Sequence, residues 1–152
     1  MRKPNMEDLL EKIHLLTETK GYARVVDIAD RLKVSPSNVT RMIQKLDERG
    51  YAKYEKYRGI TLTSRGSAIA KEMIRKHQLL EEFLRVIGVA EEYIYADVEG
   101  LEHHISGNTA FCISTVVRFF EQHPEIRKTF HQYRLAQQLR QIPHHNHSAP
   151  NI

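Results

Sequence analysis

The chain has 152 residues, 41% of them hydrophobic and 28% charged, which is ordinary for one compact soluble domain or two small ones. No stretch approaches the roughly 18 apolar residues that span a bilayer, and the polar start of the chain is unlike a signal peptide. A single cysteine excludes an intrachain disulfide, so we expect a cytoplasmic protein without a membrane partner. The net charge of +4 divides into +7 over residues 1–76 and −3 over the rest, which predicts that the first half binds a polyanion.

Three helices are predicted in the first third of the chain. Apolar residues at helical spacing indicate a helix over residues 5–19 and a shorter one over residues 26–32. Ser35 is a typical N-cap and Pro36 a typical first helical residue, so a third helix begins there and is closed by Gly50. Its apolar residues follow the i, i+3, i+4, i+7 pattern of one buried stripe: Val39, Met42, Ile43 and Leu46.

A hairpin and four further helices are predicted in the rest of the chain. Two β-prone runs, residues 51–55 and 60–63, flank a basic and aromatic tip. The four helices cover about residues 64–87, 90–105, 109–122 and 124–141. The segment Ser106-Gly107-Asn108 is expected to end the second of these helices, and residues 143–152 are expected to be disordered.

The last helices carry more apolar side chains than the surface of a monomer would tolerate. We expect them to form the two-fold interface of a homodimer, through Phe111, Ile113, Val116, Val117, Phe119 and Phe120. Cys112 lies among these residues and is predicted to be a small buried apolar side chain.

The order helix, short helix, turn, helix, hairpin is typical of a winged helix-turn-helix, which would bind double-stranded DNA. If the apolar stripe of the third helix is buried, its opposite face offers side chains suited to base edges and phosphates. The predicted contacts are Ser35, Pro36, Ser37, Asn38, Thr40, Arg41 and Gln44, with Lys56, Tyr57 and Arg58 at the hairpin tip. The alternative is a winged helix used for protein contacts, in which Arg41 and Lys45 are only solvated.

Three groups of possible metal ligands lie far apart in the sequence: Asp8 with Glu11, His77 alone, and Glu99, Glu102 and His103. The first pair is spaced i, i+3, which places the two side chains roughly 5–6 Å apart on a helix. The last three share one face of the predicted fifth helix. Each group alone is weak evidence, because acidic pairs are usually solvated and a lone histidine is more often a surface or core residue.

The chemistry of the combined set is more specific. Four carboxylates and two imidazoles without a thiolate suit Mn²⁺ and other hard or borderline divalent ions, rather than copper(I) or structural zinc. Four carboxylate charges also balance two divalent cations. The set therefore favours a two-metal site, with bridging carboxylates, that switches DNA binding.

Longer motifs carry a resemblance to a known family: Met6-Glu7-Asp8…Glu11, Gly21-Tyr22-Ala23-Arg24-Val25, Tyr54-Glu55-Lys56-Tyr57-Arg58-Gly59 and Asp97-Val98-Glu99-Gly100-Leu101-Glu102-His103-His104. Residues 4–142 resemble the manganese transport regulators, the manganese-responsive branch of the diphtheria-toxin-repressor-like metalloregulators. Iron-sensing relatives have Met and Cys ligands where this chain has Asp8 and Glu99.

The resemblance implies a mainly α fold with an N-terminal winged helix-turn-helix, a two-stranded wing and a C-terminal helical dimerisation domain. The expected divisions are a DNA-binding domain at 1–63, a linking helix at 64–88, a dimerisation domain at 89–142 and a tail at 143–152. The implied function is a homodimeric repressor that binds a pair of Mn²⁺ ions per subunit and then its operator, and so limits manganese uptake.

The resemblance also implies a role for each metal ligand. Glu99 and Glu102 would bridge the two ions. The other ligands would divide between the ions as Asp8 with His77 and Glu11 with His103.

Two alternatives belong to other functional classes. A two-metal carboxylate-bridged hydrolase or oxidase would use the same donors, but such di-iron proteins place Glu-x-x-His pairs on two helices, and this chain lacks that pairing. A metal-independent winged-helix DNA binder would leave the carboxylates solvated. We expect a regulator, neither an enzyme nor a binder of a small organic substrate.

Overall fold

The computed structural model describes residues 4–55, 57 and 59–141. The predicted DNA contacts Lys56 and Arg58 and the predicted disordered tail lie outside these residues. The described chain forms seven helices and two strands: α1 (Met6–Lys20), α2 (Val25–Leu32), α3 (Pro36–Glu48), β1 (Ala52–Glu55), β2 (Gly59–Leu62), α4 (Ser64–Ile87), α5 (Glu91–Leu101), α6 (Gly107–Gln122) and α7 (Pro124–Gln141). The prediction of a mainly α fold with a two-stranded wing is confirmed.

The chain divides into two compact units, Met1–Gln78 and Leu79–Ile152, and helix α4 contributes residues to both. Among the described residues, no helix is both long enough and apolar enough to cross a membrane.

The first unit is a winged helix-turn-helix built on one hydrophobic core. Helix α1 buries the stripe Leu9, Leu10, Ile13 and Leu16, and helix α3 buries Val39, Ile43 and Leu46. Ile28 and Ala29 of α2 complete the same cluster, with Met42 half-buried beside it. Strands β1 and β2 pair antiparallel in a register that runs from Ala52 opposite Leu62 to Glu55 opposite Gly59. Because the predicted apolar stripe of α3 faces the core, the opposite face of this helix is exposed to solvent.

The second unit packs α5 and α6 on the last turns of α4. Its core contains Leu80 and Leu84 of α4 together with Ile94 and Val98 of α5. The turn between α4 and α5 is held by Arg85, whose guanidinium donates to both carboxylate oxygens of Glu91 at 2.7–3.2 Å. This hydrogen-bonded ion pair lowers the pKa of Glu91.

Gly88 ends α4 at a φ of 92°, a backbone conformation that favours glycine. The Arg134 guanidinium of α7 occupies the space that a Cβ at this position would need. A larger residue here would therefore meet backbone strain, and the Arg134 side chain would have to move.

Two sequence-based expectations about the last helices are wrong. Cys112 is exposed rather than buried, because in the described chain α6 turns it away from the core. Helix α5 ends at Leu101 instead of near residue 105, because the His104 N–H bonds back to the Leu101 carbonyl in a tight turn. Ser106 caps α6 by accepting from the Thr109 N–H at 3.1 Å, so α6 begins at Gly107, close to its predicted start.

Candidate metal centre and nucleic-acid interface

The first two candidate ligands lie on one face of α1, and the local sequence explains why. Asn5 is the N-cap, and its Oδ1 accepts from the Asp8 N–H at 2.9 Å. The Asp8 Oδ2 in turn accepts from the Asn5 N–H at 2.6 Å, which completes a capping box. Glu11 follows three residues later, close to Lys12 Nζ at 3.5 Å. Asp8 and Glu11 are each only 6% exposed, so this acidic pair is not an ordinary solvated pair.

His77, the third candidate, lies in the middle of α4 and is half-buried. It belongs to the first unit, as do Asp8 and Glu11. The first unit therefore supplies two carboxylates and one imidazole from two helices.

The other three candidates lie together around the end of α5. Carboxylate oxygens of Glu99 and Glu102 lie within 4.8 Å of each other. The Glu102 Oε1 is 3.0 Å from His103 Nε2, and Glu102 is only 1% exposed. Because α5 ends at Leu101, Glu99 is the one of these three residues that lies within the helix. The Glu102 backbone still has helical angles, and its N–H donates a hydrogen bond to the Val98 carbonyl. The second unit therefore supplies the other half of the predicted donor set.

The low solvent exposure of the candidate carboxylates indicates whether they suit a metal ion. Among the residues that the structure describes, the buried charged side chains are Asp8, Glu11 and Glu102, and all three are predicted ligands. Burying an ionised carboxylate is costly unless a positive charge or a metal ion compensates it. Oxygen and imidazole donors without a thiolate suit hard or borderline divalent ions. The donor set therefore fits a divalent metal such as Mn²⁺.

The exposed face of α3 carries the predicted DNA contacts. Its N-cap and reading-face residues are all exposed: Ser35, Pro36, Ser37, Asn38, Thr40, Arg41 and Gln44. The Ser35 hydroxyl caps the helix by accepting from the Asn38 N–H at 3.4 Å. The Thr40 hydroxyl donates to the Pro36 carbonyl at 3.0 Å, and the residue remains exposed. In the wing, Tyr57 is 92% exposed.

Tyr54 of β1 is a feature of this surface that the sequence reasoning missed. It is 61% exposed and lines a groove with Thr40 and Gln44 of the reading face. Alternation of apolar and polar residues along β1 could have indicated that Tyr54 is exposed, but a strand of four residues is too short to show such a pattern.

Comparisons with known proteins agree with this architecture. Residues 1–60 match the family model described as iron dependent repressor, N-terminal DNA binding domain, and residues 63–131 match its metal binding and dimerisation domain. Over 129 residues the chain is 57% identical to the HTH-type transcriptional regulator MntR of Listeria monocytogenes serotype 4a (strain HCC23), covering 85% of this chain and 91% of that protein. The chain belongs to the MntR branch of the iron dependent repressor family.

Other relatives extend the match. MntR of Bacillus subtilis (strain 168) is 51% identical over 146 residues, which cover 96% of this chain and 99% of that protein. Among solved structures, that of the manganese regulator SloR has a TM-score of 0.70 at 29% identity, and the metal-dependent transcriptional regulator MtsR a TM-score of 0.72 at 28% identity. Both matches cover 78% of this chain, which spans about half, 55%, of each of those chains.

Membership of the MntR branch decides the functional class. The protein is a transcriptional repressor of a metalloregulator family, with operator DNA and a second copy of itself as partners. The predicted family and the prediction that the chain is not an enzyme are confirmed by these relatives. The two alternatives, a two-metal enzyme and a metal-independent DNA binder, find no support among them.

Proposed function

We propose that this protein is a manganese-dependent repressor, which binds two Mn²⁺ ions per subunit in the cytoplasm and then represses manganese uptake genes. The observation that carries the proposal is that the buried carboxylates among the described residues, Asp8, Glu11 and Glu102, all belong to the predicted ligand set. The names of the relatives support the choice of metal. One similar solved structure, with a TM-score of 0.65 and 29% identity, is of a manganese-dependent transcriptional repressor in complex with manganese.

The six ligands would divide between two ions. Glu99 and Glu102 are the candidates for bridging, as the family resemblance implies, and their carboxylate oxygens lie within 4.8 Å of each other. The remaining ligands would complete the ions in pairs, Asp8 with His77 at one and Glu11 with His103 at the other. Four carboxylates carry the charge that two divalent cations neutralise, and the imidazoles add neutral donors.

The proposed regulation is electrostatic. Asp8 and Glu11 come from the DNA-binding region, proposed as residues 1–63, and Glu99 and Glu102 from the dimerisation region, proposed as residues 89–142. Like charges on the two regions disfavour their approach. The carboxylates of both regions would hold the Mn²⁺ ions, whose positive charge would replace this repulsion with attraction. In a two-fold dimer, holding the two regions of each subunit together would select one separation of the two α3 helices. That separation must match DNA half-sites about 34–36 Å apart.

DNA binding measured with and without Mn²⁺ tests this proposal. The probe is a duplex selected from a random-sequence library by the Mn²⁺-loaded protein, and binding is followed by fluorescence anisotropy at fixed salt. We expect tight binding with Mn²⁺ and a return to non-specific affinity after chelation. The same concentration of Mg²⁺ is the control for general divalent screening. Equal binding in all three conditions would contradict the proposal.

Arg41→Ala is expected to weaken binding to the selected duplex without changing Mn²⁺ stoichiometry, because Arg41 is exposed on the reading face of α3. A lost base-edge contact would cost roughly 1–3 kcal/mol per site. The measurement is the Kd for the selected and for an unrelated duplex at one salt concentration, with stoichiometry from calorimetry. Arg75→Ala is the matched control, since Arg75 is also exposed but pairs with Glu72 at 3.4 Å. An unchanged Kd would mean that another face of α3 enters the groove.

A further inference from the structure

We propose that Tyr22 and Arg24 form a second DNA contact beside the wing, in which Arg24 binds a backbone phosphate. This contact rests on the proposed DNA-binding function and adds to it residues that lie outside both α3 and the wing. Its ligand is the phosphate backbone of duplex DNA, so it would contribute affinity and orientation rather than base specificity.

The segment between α1 and α2 is fixed to the wing by its backbone. Ala23 forms an antiparallel bridge with Ile60, and the Ile60 N–H donates to the Ala23 carbonyl at 2.9 Å. A Cβ at Gly59 would lie 2.5 Å from that carbonyl oxygen, so glycine permits this close approach. Ala23 therefore acts as a short third strand at the base of the wing.

This strand-like pairing determines where the neighbouring side chains point. Successive side chains in an extended segment alternate between faces. Ala23 is fully buried, and the residues on either side of it, Tyr22 and Arg24, are exposed. Both line a surface groove that also contains Tyr57 of the wing, which is 92% exposed. Three side chains suited to nucleic acid therefore share one groove.

The chemistry of the pair suits a phosphate. The Arg24 guanidinium lies over the Tyr22 ring, with its carbon 4.6 Å from the ring centre. Stacking on an aromatic face restrains a guanidinium while its N–H donors remain directed outward for an anion. The acidic residue of the first turn of α2, Asp27, is bound by Lys20 at 2.7 Å, so Lys20 already neutralises it. An exposed guanidinium that is stacked on a tyrosine ring is a typical contact for a nucleic-acid backbone.

The salt dependence of DNA binding tests the contact, because each neutralised phosphate contributes about −0.9 to the slope of log K against log salt. A dimer has two Arg24 side chains, so Arg24→Ala is expected to reduce the slope by about 1.8. Raising the salt from about 50 to 200 mM lowers the affinity of both proteins. The factor by which the affinity of the variant falls should be about twelvefold smaller than the factor for the parent. Arg24→Lys, which keeps the charge, should retain the slope.

The design separates this contact from a general charge effect and from the proposed function. Arg75→Ala removes the same charge at an exposed residue of α4 and should leave the slope unchanged. Both the selected and an unrelated duplex are measured with Mn²⁺-loaded protein, because a phosphate contact does not depend on sequence. An unchanged slope for Arg24→Ala, or an equal reduction for Arg75→Ala, would overturn the contact. A parent protein that fails to distinguish the two duplexes would instead count against the proposed function, while the unrelated duplex still tests Arg24.

Discussion

Replacing Glu102 by glutamine is expected to abolish the activation of DNA binding by Mn²⁺, and alanine at Glu99 or Glu102 should do the same. Each of these carboxylates would bridge both ions, so a single substitution damages two sites. Replacing a residue that only hydrogen-bonds to a metal ligand typically lowers metal affinity by roughly 10–100-fold. The loss in Mn²⁺ affinity on replacing a bridging ligand should be larger. Glutamine suits Glu102 because this side chain is 1% exposed, and a similar shape avoids leaving a cavity.

The measurements are a Mn²⁺ titration of DNA binding and the number of bound ions by calorimetry, with size-exclusion chromatography to show that the dimer remains. Asp97→Asn is the matched control, because Asp97 is an exposed acid on the same helix, α5. It should leave both activation and stoichiometry unchanged. Full activation of both the Glu99 and the Glu102 variants would remove the two-metal proposal.

Features of this fold that depend on local sequence could be predicted closely. Helix α3 begins where Ser35 and Pro36 indicate, since a cap and an N1 proline act within one turn. Its buried stripe follows from helical spacing alone, and burial of that stripe determines which side chains reach solvent. Helix α4 likewise begins at Ser64 and ends before Gly88, as the sequence indicated. These features need no knowledge of the rest of the molecule.

Features that depend on packing could not be predicted in the same way. Cys112 has apolar neighbours in sequence, but helical geometry separates neighbours by about 100°, and only the packed structure shows which of them face the core. In α6, Val117 is buried whereas Phe111 is 65% exposed. The exposure of Phe111 is consistent with a surface that a second subunit covers, as predicted for the dimer interface.

The candidate metal centre illustrates the same limit. Residue types and spacing predicted the six donors, but an acidic pair at the start of a helix is normally solvated. Nothing in the local sequence distinguishes Asp8 and Glu11 from such a pair, and their low exposure is a property of the folded chain. Burial is therefore the structural observation that adds most to the chemistry of the donor set.

Asp8→Met is expected to change which metals activate the repressor, because it replaces a hard carboxylate by a soft thioether. It also removes one of the four charges that would balance two divalent ions, so binding of the second Mn²⁺ should weaken. The fold should survive with a modest loss of stability. The substitution removes the bond from the Asn5 N–H to the Asp8 carboxylate, while Asn5 itself still caps the Asp8 N–H at 2.9 Å.

The test of Asp8 is a titration of DNA binding with Mn²⁺, Fe²⁺ and Co²⁺ under anaerobic conditions, compared between the parent, Asp8→Met and Asp8→Asn. Asparagine keeps the size and an oxygen donor but loses the charge, so it separates the effect of charge from that of donor softness. Both variants should bind Mn²⁺ more weakly than the parent. Only Asp8→Met should raise the response to Fe²⁺ or Co²⁺ relative to Mn²⁺, because only a thioether favours softer ions. If the metal ranking and the Mn²⁺ stoichiometry of Asp8→Met match those of the parent, Asp8 is a helix-capping residue and not a metal ligand.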